Sequence, residues 1–383
     1  MSSKFESWQM AVELNIPVLL WGPPGVGKTA RVEQYAKQTG RHMETIIASL
    51  REPADICGLP IIKDGHVILA MPQWAQNLIT KGGILFIDEI TTAPPAVQAA
   101  LLRVVLDRVV GDTKLPENVR IIAAANPPQQ AAGGWDLSLP LCNRFIHLDI
   151  TVDNDEWMDG YLTDWMKGND DEVKVHNIVI KDTIPKARGL VASYMTRFPT
   201  NLTSIPVDLT HRAYPTPRSW DMATKVIAGA MNMFGEGLTE GENGQLRWIN
   251  ETVTDLLIGT VGNGPAMEFI GYVRNLDIQD PEELIKDPDK VKVNKARADI
   301  VNATLVSLAS AIVNKPTVER WQAGWKVLNV VAKKDMMDAC IVAARVLCKL
   351  YTNNAQNKKW DNTIIKPVKD CFSTFQPYVS MIF

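Results

Sequence analysis

A chain of 383 residues, 46% apolar and 22% charged, has the composition of a globular protein long enough for two or three domains and a large core. Its formal charge of -3 argues against a generally basic surface that coats nucleic acid, although a local basic patch stays open. Five cysteines and five histidines, scattered and without C-x-x-C or other ligand spacing, argue against a disulfide framework and a protein-built metal site, and point to reduced thiols. Residues 1–8 hold no apolar signal-peptide core and no apolar run reaches membrane-spanning length. A cytoplasmic protein is therefore expected, meeting a membrane only through a partner.

In chain order, residues 16–21 read as a buried strand. Gly22-Pro23-Pro24-Gly25-Val26-Gly27-Lys28-Thr29 follows and fills every position of G-x-x-x-x-G-K-[ST]. The glycines let a tight loop turn backbone N–H groups around phosphate oxygens. Lys28 supplies a point charge for the β/γ-phosphates, and the Thr29 hydroxyl can ligate Mg²⁺. Residues 30–37 read as the helix whose N-terminus completes the anion site. Residues 43–48 are the next strand, 61–69 a hairpin turning on Asp64-Gly65, and 83–87 a third core strand.

That third strand ends in Asp88-Glu89. A buried strand holds Asp88 rigidly near the loop, where it can hold Mg²⁺ through water, and Glu89 can polarise an attacking water as general base. A helix over 94–107 follows, then strands over 119–124 and 145–150. Asn126, just past the fourth core strand, lies at the carboxyl edge of the sheet, where a neutral amide can orient water against a γ-phosphate. Beyond residue 151 the pattern becomes helical, with helices expected over 217–231, 248–258, 266–276, 296–313 and 318–350, and an ordered proline-rich loop over 199–217.

These residues together resemble an AAA+ ATPase, with Walker A, Walker B and the sensor-1 Asn in order. Further stretches resemble the MoxR-type branch, whose helix-2 region carries an inserted hairpin. They are Asp55-Ile56-Cys57-Gly58 with the hairpin after it, Asn143-Arg144-Phe145, and Pro217-Arg218-Ser219-Trp220. The resemblance covers residues 1–275 well and the tail more weakly. It implies an α/β P-loop NTPase core, a parallel sheet between helices, followed by an all-helical lid and a C-terminal helical extension. The expected domains are 1–150 with the hairpin insert near 55–72, a linker and lid over 151–280, and the extension over 281–383.

The resemblance also implies ATP hydrolysis with Mg²⁺, a homo-oligomeric ring, hexameric in form, and a chaperone-like role on a client or partner protein. Such ATPases often work with a protein bearing a von Willebrand factor A domain. Arg144 would be an arginine finger serving a neighbouring subunit, and Arg218 the lid residue that senses nucleotide on its own or a neighbour's site. A guanidinium suits both roles because it spreads charge against a hydrolysing γ-phosphate. Arg103, Arg108 and Arg120 lie in the same region and compete for the finger role, and Asp107-Arg108 could face a pore or an interface. The hairpin tip, 63–66, is a candidate contact. Two other readings use the same engine: a motor on nucleic acid or a restriction-type subunit, and a nucleotide-dependent scaffold with little turnover. Trp8, Trp21 and Cys142 read as packing residues.

Overall fold

The computed structural model describes residues 7–127, 135–151, 178–206, 212–235, 246–274, 279–357 and 359–375. Most of the expected linker after residue 151, the middle of the proline-rich loop and the end of the helix expected over 266–276 lie outside them.

Near-continuous apolar runs make parallel strands covered on both faces. β1 (Val18–Trp21) is buried throughout, as are all but the last residue of β5 (Gly83–Asp88) and all but one residue of β8 (Val119–Ala125). With β2 (Met43–Ile47) and β9 (Ile146–Asp149) they form a five-stranded sheet in the order β2-β5-β8-β1-β9, and each neighbouring pair is parallel. The five core strands expected from the sequence are thus the five of this sheet. The register pairs Trp21 with Ala125 and Ile87 with Ala123. Gly22, Asp88 and Asn126 therefore emerge together at the carboxyl edge, where open α/β sheets bind ligands.

Helices α1 (Ser7–Glu13), α2 (Lys28–Gln38), α3 (Pro53–Cys57), α4 (Gln73–Lys81), α5 (Pro95–Asp107) and α6 (Leu139–Cys142) surround this sheet. Leu19, Leu85, Ile87, Leu101 and Phe145 are among its fully or nearly fully buried core residues. Burial of each such side chain is worth about 1.5–3 kcal/mol. The insert is a free-standing hairpin, β3 (Leu59–Lys63) and β4 (His66–Ala70), turning on Asp64 and Gly65, both at positive φ as a primed turn needs. Ile62 and Val67 pair across it and are largely exposed. A second, short hairpin joins β6 (Val109–Val110) to β7 (Thr113–Lys114).

The chain divides into two compact units. The first comprises Met1–Ile178, Thr203–Gly229 and Ile249–Ala266, and the second Val179–Leu202, Ala230–Trp248 and Met267–Phe383. In the second unit the helix Ile184–Arg197 lies so close to Ala298–Asn314 that a Cβ on Gly189 would meet the Ser307 backbone at 2.7 Å. Trp321, Trp325 and Phe375 are buried in its core. The expected helix over 318–350 is two helices, Val318–Ala332 and Met337–Gln356. Exposed Lys333, Lys334 and Asp335 form the break, with Asp335 in the left-handed region at φ 57°. Three charged residues in a row interrupt the apolar spacing without a glycine or proline to mark the stop. No helix among the described residues is long and apolar enough to cross a membrane.

Candidate active site

The glycine-rich loop begins where β1 ends. The Gly22 N–H donates to the Ala125 carbonyl at 3.2 Å, fixing the loop's entry to the sheet edge. Gly25 and Gly27 adopt φ of 82° and 84°. A side chain in that region costs about 1–2 kcal/mol, so these two positions explain the glycines of the motif. Gly27 caps α2, whose first helical residue is Lys28, and Pro23, Pro24 and Gly25 are exposed. The N–H groups of a helix's first turn and the positive end of its dipole suit this loop to an anion.

The Lys28 ammonium is nearly buried and uses all three of its donors. It bonds the Gly22 carbonyl at 2.7 Å, the Pro23 carbonyl at 3.1 Å and Asn126 Oδ1 at 2.9 Å. Burial lowers its pKa from the usual lysine range, and the nearby Asp88 carboxylate opposes that shift. Thr29 Oγ1 donates to Asp88 Oδ2 at 2.9 Å, and the Glu89 N–H donates to Asp88 Oδ1 at 2.9 Å. Lys28, Thr29, Asp88, Glu89 and Asn126, which the sequence singles out, therefore form two hydrogen-bonded groups, Lys28–Asn126 and Thr29–Asp88–Glu89, joined where Lys28 and Thr29 adjoin in the chain.

Glu89 itself sits at φ 55°, ψ 38°, a left-handed conformation uncommon for a non-glycine residue. Its carbonyl accepts from Thr92 Oγ1 at 2.8 Å and from the Thr92 N–H at 3.1 Å, which over-determines the turn. Its carboxylate accepts from the Ser49 hydroxyl. Ser49 lies in the single 3₁₀ turn Ala48–Leu50 directly after β2. The register Ile47 to Asp88 brings that turn beside Glu89. Ser49 is absent from the sequence reading because only the β2–β5 register reveals it.

The residues present fit a magnesium nucleotide. The Thr29 hydroxyl and the Asp88 carboxylate supply hard oxygen donors side by side, as Mg²⁺ requires, and Lys28 with the loop amides supplies the positive surround for phosphate.

Arg144 and Arg218 form a second cluster. Arg144 follows α6, and Arg218 occupies the exposed first turn of the helix Pro217–Phe234. Burial lowers the Arg144 pKa, and the neighbouring Arg218 cation lowers it further, while Asp107 opposes both. Arg144 donates to the Pro140 carbonyl, and its Nε has no partner among the described residues. Neither arginine bonds Lys28, Thr29, Asp88 or Glu89 among the described residues. The helix start bearing Arg218 is locked to the segment bearing Arg144. The Thr216 N–H donates to Ser219 Oγ at 2.7 Å, the Ser219 N–H donates to Thr216 Oγ1 at 3.1 Å, and Thr216 Oγ1 donates to Asn143 Oδ1 at 3.0 Å. Tyr214 Oη also donates to the Leu139 carbonyl at 2.8 Å.

Two of the three competing arginines are otherwise engaged. Arg108 turns inward and donates to Asn15 Oδ1 and to the Pro116 and Val119 carbonyls, and Arg120 donates to the Glu117 carbonyl. Arg103 is exposed on α5. Trp8 is buried edge-on against Tyr35. Burial pushes the Cys142 thiol up to about 12, which leaves it unreactive.

A family model described as AAA domain (dynein-related subfamily) matches residues 17–145, the region that holds the whole Lys28–Asn126 network. Residues 17–145 carry an AAA domain. Among curated proteins, Midasin of Giardia intestinalis is 25% identical over 37% of this chain and 3% of its own length. The branch migration subunit RuvB of Oenococcus oeni is 33% identical over 33% of this chain and 35% of its own. Protein NorQ of Paracoccus denitrificans is 27% identical over 32% of this chain and 48% of its own. The chain thus spans less than half the length of each of these relatives. A solved chain from Cytophaga hutchinsonii covers 71% of this chain at 17% identity with a TM-score of 0.47. Within residues 17–145 the glycine-rich loop joins β1 to α2, Asp88-Glu89 lies at the end of β5 and Asn126 follows β8.

Proposed function

We propose that this chain is an ATP-hydrolysing AAA+ ring ATPase, cytoplasmic, that uses ATP and Mg²⁺ to remodel or activate a partner protein. The observation that carries the reading is the network of Lys28–Asn126 and Thr29–Asp88–Glu89 bonds at the carboxyl edge of the sheet. The loop amides and Lys28 hold the phosphates. Lys28 exchanges its bonds to the Gly22 and Pro23 carbonyls for phosphate oxygens, and Asn126, released from it, turns its amide toward the water. Thr29 and Asp88 hold the metal, which when bound neutralises charge on the phosphate oxygens. Glu89 exchanges the Ser49 hydroxyl for that water and takes its proton.

Among the described residues Arg144 bonds no member of this network, which supports its assignment as a finger given to the next subunit of a hexameric ring. Arg218, tied to the same segment, reports nucleotide through the lid assigned to 151–280, and residues 281–383 form the helical extension. The exposed apolar hairpin Leu59–Ala70 suits contact with a client, and the MoxR-type resemblance of the motifs implies a chaperone-like role with a partner that bears a von Willebrand factor A domain.

Similarity to RuvB, a Holliday junction branch migration subunit by name, favours a second reading as a motor on nucleic acid. Duplex DNA added to the purified protein separates the two. The first reading expects hydrolysis unchanged by DNA and capture of a protein by the Glu89→Gln chain in ATP. Stimulation by DNA contradicts it.

A further inference from the structure

Trp21, the last residue of β1 and the neighbour of Gly22, does more than fill the core. Its indole N–H donates to His147 Nδ1 at 2.9 Å, and the other ring nitrogen, Nε2, faces the Cys142 carbonyl at 2.9 Å. An indole N–H can only donate and a carbonyl can only accept. The imidazole is therefore neutral and held in the Nε2–H tautomer, with its proton on the Cys142 carbonyl. That carbonyl closes α6, and Asn143 and Arg144 follow directly. The Arg212 guanidinium lies 4.0 Å over the Trp21 ring and pairs with Asp149 at 2.8 Å. One buried chain of hydrogen bonds thus runs from the root of the P-loop to the root of the Arg144 arm.

We propose that Trp21 and His147 are positioning residues for Arg144: the indole fixes the imidazole tautomer, and the Nε2–H holds the α6 carbonyl that sets the pose of the arm. The inference rests on the shared-site reading in which Arg144 serves a neighbour. A guanidinium displaced by about 1 Å from its working position loses rate steeply, up to about 10²-fold. The coupling also means that movement of the P-loop in one subunit reaches the arm given to the next.

Mixed rings test this. Arg144→Ala subunits bind nucleotide but lack an arm. Lys28→Ala subunits have an arm and a disabled loop, so mixing the two restores ATP turnover under the shared-site reading. Into the Lys28→Ala subunit go His147→Gln, whose amide N–H can still meet the Cys142 carbonyl, or His147→Met, which cannot donate. Because that subunit's own loop is already disabled, damage to its nucleotide binding cannot alter the result. His147→Gln should restore turnover close to the unmodified donor, and His147→Met about tenfold less or worse. Equal restoration by both overturns the proposal. If His147→Met fails to enter rings, judged by sedimentation, Trp21→Phe replaces it, keeping the ring and losing the donor, with the same tenfold loss expected and full restoration overturning the proposal. If unmodified Lys28→Ala and Arg144→Ala subunits never complement each other, the shared-site reading itself fails, and this proposal with it.

Discussion

His147 makes a pH prediction whose size follows from its surroundings. The ring is buried on β9, and burial lowers its pKa from the ordinary 6.5 to about 4. Its hydrogen bonds agree: protonating Nδ1 would point a second N–H at the Trp21 indole N–H. Of the charged groups near it, Arg212 also opposes protonation and Asp149 favours it. The unfolded chain takes up this proton first, so the stabilisation is complete above pH 6.5 and is lost as pH falls toward 4. With those two values, linkage gives about 2 kcal/mol lost between pH 7.5 and 5.0 from this residue alone. Thermal unfolding of wild type and His147→Gln at both pH values measures it. The wild-type midpoint should fall by about 4–8 °C more than that of the variant. Carboxylates whose pKa is lowered by arginine partners, Glu13 and Glu282, act equally in both proteins and cancel in the difference. NMR of ring-labelled histidine gives an independent readout, because the chain has only five histidines. One resonance should remain neutral at pH 5 with its proton on Nε2. Equal pH dependence in the two proteins, or five histidines all titrating near 6.5, refutes the reasoning.

Three further outcomes follow from the site. Arg144→Ala should bind ATP normally and lose about 10³-fold or more in turnover, measured by coupled ATPase assay and nucleotide titration. Thr29→Ala should raise the Mg²⁺ concentration needed for nucleotide binding, seen by titration of a fluorescent ATP analogue with and without Mg²⁺. Ser49→Ala should raise basal turnover by a few-fold, because removing the hydroxyl donor frees the Glu89 carboxylate to turn toward water; a fall would show that Ser49 supports the base rather than restrains it.

Residue types carry local chemistry, and that part was legible. The loop glycines, Lys28, Thr29, the Asp88-Glu89 pair and Asn126 announce themselves because each sits at a strand end whose apolar run is visible, and the five-stranded core follows from those runs. What the sequence hid depends on register and on long-range packing. Ser49 reaches Glu89 only because β2 pairs with β5 at a particular offset. His147 read as one of five unspaced histidines, and Trp21 as a packing residue, because their bond spans 126 positions. The break at Asp335 is invisible in the sequence because three charged residues, rather than a glycine or proline, make it.

Hydrolysis of ATP at the sheet edge, with Glu89 as base, is the proposal on which the other roles depend. It is tested most directly by measuring ATP binding and steady-state turnover on the same preparations of wild type and Glu89→Gln. Binding should be unchanged and turnover lower by about 10²–10⁴-fold in the variant. Turnover equal to wild type would contradict it.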